Sequence, residues 1–280
     1  MFHSTRRSRH IESHSSSQEV FYVAATADEP ARTSARLVGM RTLRSIVFFL
    51  TLLLSASFAQ SPDTTFRITP RRPVEELRTE ALAAKPPNET GTFRQPELVE
   101  LIKLDPTIKL DIRYATTNNF LSTPMYSQAR AFLQRPAAEA LVRANRELKT
   151  KGYGLLIHDA YRPWYVTKMF WDATPNDKKI FVANPAEGSK HNRGCAVDLT
   201  LYDLKTGEAV KMPSGYDEMS PRAYADYSGG TAEERARRDL LRSVMEKQGF
   251  TVYPQEWWHF DYKDWKQYPI MNVKFEGLGK

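Results

Sequence analysis

Apolar and polar positions follow different rhythms along the chain, and the rhythms predict its elements. Residues 1–39 have no helical or strand period and are rich in Ser and Arg, which reads as a disordered extension. Clear patterns begin further on. Residues 108–114 (IKLDIRY) alternate apolar with polar, the period of a half-buried strand. Residues 135–151 put Ala137, Leu141, Ala144 and Leu148 at helical spacing and stop at Gly152. The run 153–158 (YGLLIH) predicts a buried strand, and Pro163 can open a helix through Phe170 and Trp171, because the first helical position needs no amide donor. A strand is expected over 196–202 (AVDLTLY). Residues 231–248 predict a helix in which Thr231 and Glu234 have capping-box spacing and Gly249 ends the element. Two closing strands follow at 250–253 and about 257–262. This mixed order predicts an α+β domain with a mainly antiparallel sheet flanked by helices.

The region before that domain reads differently. Met40, Arg41 and Arg44 precede the apolar run 46–54 (IVFFLTLLL), and small residues lead to Ala59, the order of a secretory signal peptide over 40–59. The apolar stretch through Ala59 has fourteen residues, short of the roughly 20 that span a bilayer. Cleavage is therefore expected, with an exported, periplasmic product and no stable membrane association afterwards; an uncleaved anchor is the alternative. A signal peptide opens a chain, so this reading makes Met40 the start and 1–39 an extension from a misassigned one. Residues 60–95 carry PRRP (70–73) and KPPN (85–88), whose proline rings bar regular structure. They read as a linker with one short helical piece near 74–84, ahead of a folded domain at 96–280.

Composition narrows the function. The chain has 280 residues, 41% hydrophobic and 26% charged, an ordinary globular balance. Its net charge of +7 is uneven: residues 60–280 hold 33 Lys/Arg against 29 Asp/Glu. That balance is too mild for a phosphate-binding surface, so no nucleic-acid partner is expected. One cysteine, Cys195, excludes paired-thiolate metal sites and an intramolecular disulfide framework. Any metal must therefore be held by His and carboxylate.

Three of the six histidines fall in the first fourteen residues, leaving His158, His191 and His259. His158 lies in an apolar run and reads as structural. His191 precedes Asp198 by seven residues in Ser189-Lys190-His191-Asn192-Arg193-Gly194-Cys195-Ala196-Val197-Asp198, and Glu256-Trp257-Trp258-His259 sets a carboxylate before a histidine among large aromatics. Two imidazoles and one carboxylate would give zinc three ligands and leave a fourth position for water, the arrangement of a catalytic site. Glu256 is then free to take a proton, and Asp198 could alternatively orient an imidazole from behind. In a flat strand residues three apart face opposite ways, so Glu256 and His259 converge only if Glu256 lies on a turn or bulge.

Taken together, Ser-x-His-x-x-Gly-x-Ala-x-Asp (Ser189, His191, Gly194, Ala196, Asp198) and Glu256-Trp257-Trp258-His259 resemble the D-alanyl-D-alanine dipeptidases of the VanX type, a branch of the zinc D-Ala-D-Ala peptidases. The likeness extends to Asp111-Ile112-Arg113-Tyr114-Ala115-Thr116 with Asn119-Phe120, to 152–156 with Asp159-Ala160-Tyr161-Arg162-Pro163, and to 198–202, covering roughly residues 97–275. The resemblance implies a zinc peptidase domain of hedgehog-like fold and one zinc ion per chain on His191, Asp198 and His259. It implies Glu256 as general base and later proton donor, and Arg162 as stabiliser of the oxyanion. Asp217 matches the position that receives the substrate ammonium, while Tyr114 and Ser189 match positions lining the substrate pocket. The implied reaction is hydrolysis of D-Ala-D-Ala, a small dipeptide, to two D-alanines. Cys195, between ligands, reads as a buried small residue.

Two rival functions use the same residues. A D,D- or L,D-carboxypeptidase trimming peptidoglycan peptides would differ mainly around Asp217. A non-catalytic zinc-containing binding module would have no use for Glu256 and Arg162. A structural zinc site would normally take four protein ligands, including cysteines.

Overall fold

In the computed structural model, residues 65–279 are described, and among them the sequence rhythms become twelve regular elements. In chain order these are α1 (Val74–Ala83), β1 (Leu98–Glu100), the single turn α2 (Leu101–Leu104), β2 (Lys109–Leu110), β3 (Phe132–Gln134), α3 (Arg135–Lys149), β4 (Tyr153–Asp159), α4 (Trp164–Ala173), β5 (Ala196–Asp203), α5 (Ala232–Lys247), β6 (Phe250–Tyr253) and β7 (Glu256–Tyr262). The described residues all fall in one compact unit. The expected extension at 1–39 and signal peptide at 40–59 lie outside the described residues. Among the described residues no helix is long and apolar enough to cross a membrane.

Five strands form the main sheet in the order β2–β4–β5–β7–β6, with β2 parallel to β4 and every other neighbour antiparallel. β1 and β3 make a separate antiparallel pair. The architecture is α+β, as the mixed order of periods predicts. β5 lies in the middle of the sheet and is buried along nearly its whole length. One of its faces carries Val197, Leu199 and Leu201; the alternate face carries Asp198, so strand periodicity alone drives a carboxylate into the interior. α3 lays its Ala- and Leu-rich face on β4, and α5 packs on β6 and α3. Thr231 accepts the Glu234 amide and Glu234 accepts the Thr231 amide, completing the expected capping box.

Two expectations need correction. Only Lys109–Leu110 of the strand expected over 108–114 joins the sheet, after which the chain turns through a short 3-10 segment, Arg113–Ala115. The turn brings the Tyr114 carbonyl to the Met125 and Tyr126 amides, at 2.6 and 2.9 Å, and buries the Tyr114 ring. The second correction concerns 60–95, which is no free linker where it is described. The Ile68 and Arg71 amides donate to the Phe120 and Ala173 carbonyls, both at 2.9 Å, and α1 buries Leu77 and Ala81 and packs against α4. Prolines exclude regular structure over PRRP and KPPN, but the apolar positions between them still find a surface to cover.

Candidate active site

Three side chains converge where β5 and β7 lie side by side. Asp198 of β5 pairs directly with His259 of β7. His191 arrives on a 3-10 turn, His191–Arg193, that leads into β5. Gly194 closes that turn with φ of 65°, and a Cβ there would come within 2.5 Å of Leu98 Cδ2. The motif therefore needs glycine at this position for both conformation and space.

The contacting atoms form a tight triangle. His191 Nε2 lies 3.2 Å from His259 Nδ1 and 3.3 Å from Asp198 Oδ1, and His259 Nδ1 lies 3.0 Å from Asp198 Oδ1. Both rings have their other nitrogen engaged: His191 Nδ1 meets the Ala160 carbonyl at 2.6 Å, and His259 Nε2 meets Asp261 Oδ1 at 2.8 Å. Donation through those outer nitrogens turns two ring lone pairs and a carboxylate oxygen toward one another, which requires a proton or a cation among them. Accordingly, although burial alone would lower it, Asp261 and Asp198 raise the His259 ring to about 10. The Asp198 carboxyl, despite its burial, is held well below the usual range by His191 and His259. The triangle also fits zinc: ligands at about 2.0–2.1 Å from a tetrahedral ion stand about 3.3 Å apart. All three residues are buried and together form a possible metal site.

Glu256 stands beside this triangle, its Oε2 3.7 Å from His259 Nδ1. The reason is a break in the β6–β7 ladder. Val252 pairs with Phe260, but Tyr253 pairs with Glu256, where an unbroken register would place His259. The irregularity lets residues three apart on β7 face the same way, as their convergence demands. Burial pushes the Glu256 carboxyl up to about 8, opposed by the His259 ring and reinforced by Asp198.

Arg162 follows β4 and is buried. Its Nε donates to Asp159 Oδ2 at 2.9 Å, and its Nη2 pairs with the same oxygen at 2.8 Å and lies 3.6 Å from Asp198 Oδ2. The guanidinium rests over the Phe170 and Tyr114 rings, 4.8 and 5.4 Å from their centroids. Tyr114 donates to Asp217, 3.0 Å from each oxygen, and Tyr216 donates to Asp198 Oδ2 at 2.9 Å. Burial, with nearby carboxylates in support, holds both phenols well above their usual range, so they act as neutral donors. Burial and then Asp198 likewise raise Asp217. Asp217 stands in the left-handed region at φ of 59°, a strained place for a non-glycine residue. Ser189 Oγ accepts the His191 amide at 3.2 Å.

Every site residue expected from the sequence lines one cleft of about 380 Å³: Tyr114, Arg162, Ser189, His191, Asp198, Asp217, Glu256 and His259. His158 lies outside that lining; it contacts Asp111 and packs against the Tyr216 ring. Cys195 is fully buried, and burial pushes its thiol up to about 12. Sequence reasoning missed four supporting residues. Asp159 holds Arg162, Tyr216 and Asp261 hold Asp198 and His259, and Asn192 braces the His191 turn by donating to the Arg162 carbonyl and to Thr167 Oγ1. A signal existed for Asp261, which shares a strand face with His259 two residues away. Tyr216 carried none, because its contact joins distant segments.

The family described as D-ala-D-ala dipeptidase matches residues 94–276. A D-alanyl-D-alanine dipeptidase of Escherichia coli (strain K12) is 35% identical over 179 residues, 64% of this chain and 91% of that protein. One from Enterococcus faecium is 38% identical over 180 residues, 58% of this chain and 89% of its own. A third, from Streptomyces coelicolor, is 35% identical over 175 residues, covering 56% and 87%. With just under two thirds of its length matched, the chain belongs to the D-ala-D-ala dipeptidase family of metallopeptidases.

Proposed function

We propose that the protein is a zinc-dependent dipeptidase that hydrolyses D-alanyl-D-alanine to two D-alanines. The observation that supports this most directly is the triangle of His191 Nε2, Asp198 Oδ1 and His259 Nδ1, with Glu256 beside it and Asp217 and Arg162 in the same cleft. These three atoms would hold the zinc. When bound, zinc polarises the scissile carbonyl and lowers the pKa of attacking water from about 15.7 to about 7.

The remaining work falls to the chain's own groups. Glu256 accepts the proton of the attacking water and returns it to the departing amine, a transfer typically worth roughly 10² to 10⁴ in rate. Arg162, fixed by Asp159, faces the negative charge that develops on the former carbonyl oxygen. Asp217, oriented by Tyr114, receives the substrate's ammonium group and so demands a free amino terminus near the bond to be cut. That demand favours dipeptides over the interior of longer chains. Ser189 and Tyr114 line the pocket.

Metal analysis combined with an amino-acid-release assay tests the reading. One zinc per chain is expected, with D-alanine released from D-Ala-D-Ala but little L-alanine from L-Ala-L-Ala and little D-alanine from a cell-wall pentapeptide. Preference for the pentapeptide would identify a carboxypeptidase instead. Zinc without hydrolysis of any substrate would leave the binding-module reading. Export is part of the same proposal, supported by the basic residues, short apolar run and small residues at 40–59. N-terminal sequencing of the secreted product should begin at or near Gln60.

A further inference from the structure

We propose that Asp261, steadied by Lys190, is a positioning residue that sets the metal affinity of the site through His259. The inference rests on the zinc reading above for the identity of the ion. It goes beyond the recognised motif, which ends at His259.

His259 and Asp261 sit two apart on β7 and so share a face of the strand. Asp261 Oδ1 lies 2.8 Å from His259 Nε2, and its second oxygen lies 3.2 Å from Lys190 Nζ. The two carboxylate oxygens thus have separate tasks, one on the imidazole and one on the ammonium. Lys190 directly precedes His191, and its Nζ stands 5.4 Å from the Trp265 ring centroid and 6.0 Å from that of Tyr253. The chain Lys190–Asp261–His259 therefore ties the segment that supplies one ligand to the strand that supplies another.

The two imidazoles are oriented by unlike means. His191 Nδ1 meets a neutral backbone carbonyl, Ala160, whereas His259 Nε2 meets a carboxylate. A backbone acceptor survives any substitution at its own residue, but a carboxylate can be removed. Accepting the Nε2 proton fixes the ring's tautomer, aims Nδ1 at the triangle and makes that nitrogen a better electron donor to a cation. Loss of such a partner typically weakens metal binding by about 10–100-fold.

The test is zinc affinity of the full-length protein, stripped of metal and titrated with Zn²⁺ against a chromophoric chelator. Visible spectra of Co²⁺ substituted for zinc supply a second readout. Asp261→Ala should weaken zinc binding by about 10–100-fold and alter the Co²⁺ spectrum. Asp261→Asn, whose side-chain oxygen can still accept the Nε2 proton, should lose less and keep the wild-type spectrum. Lys190→Met should weaken binding by less than Asp261→Ala. Thermal melting of the metal-free variants shows whether they are folded, and Asp261→Leu, similar in size but without an acceptor, replaces Asp261→Ala under the same criterion if the latter is not. A loss of threefold or less in folded Asp261→Ala with an unchanged Co²⁺ spectrum overturns the inference; any larger loss supports it. Wild-type protein that fails to bind zinc would instead overturn the zinc reading itself.

Discussion

Arg162 reaches the cleft with part of its charge committed, because Nε donates to one oxygen of Asp159 and Nη2 pairs with the same oxygen. That two-point hold fixes the plane of the guanidinium, which a lysine ammonium cannot reproduce. Arg162→Lys should therefore keep zinc while lowering kcat on the order of 10² to 10³, measured by steady-state kinetics on D-Ala-D-Ala. Glu256→Gln removes the proton acceptor and leaves the three ligand atoms untouched. It should retain one zinc per chain and lose roughly 10² to 10⁴ in kcat; near-normal turnover would refute the base assignment. At this scale the sequence showed which side chains meet where they stand in short motifs of fixed spacing, as for His191, Asp198, Glu256 and His259. The side chains that orient them were not readable. Tyr216 reaches Asp198 and Asp159 reaches Arg162 through contacts that depend on how strands and loops are laid side by side.

Elements with a strong local signal were legible almost to the residue. Helix α3 was expected over 135–151 and is observed at Arg135–Lys149, and the Thr231 capping box starts α5 as its spacing demands. The expected strand at 108–114 failed because alternation reports which side chains want burial, while pairing is decided by the neighbouring strand. Only two of its residues find partners on β4, Leu156 and Ile157. The turn carrying His191 depends on Gly194. Gly194→Ala would force a side chain into a left-handed backbone and against Leu98, at a cost of about 1–3 kcal/mol. Calorimetry should show a lowered Tm, and zinc content should fall with it, because the same turn sets the approach of His191 to Asp198.

Over the whole described region, stability and site are joined through ion pairs that link distant segments. Arg130 donates to both oxygens of Glu100, at 2.8 and 2.7 Å, and holds that carboxyl below its ordinary value, with burial opposing. A carboxyl lowered on folding contributes stability that is fully present above its unfolded pKa, about 4.3, and lost as pH falls through the folded value. Acid-unfolding curves of Glu100→Gln should therefore be shallower than wild type below about pH 4.3. A second pair lies further upstream. Arg193, two residues after His191, donates to Glu89 at 2.6 Å, and the other Glu89 oxygen accepts the Ile270 amide at 2.5 Å. Replacing Glu89 with Ala should cost about 1.5–3 kcal/mol in chemical denaturation. Yet the family match begins at residue 94. A fragment trimmed to the region of shared sequence would discard Glu89 and with it a strut of the turn that carries His191. The limits of ancestry and the limits of mechanical integrity do not coincide in this chain, and its N-terminal strap is best kept whenever the enzyme is shortened.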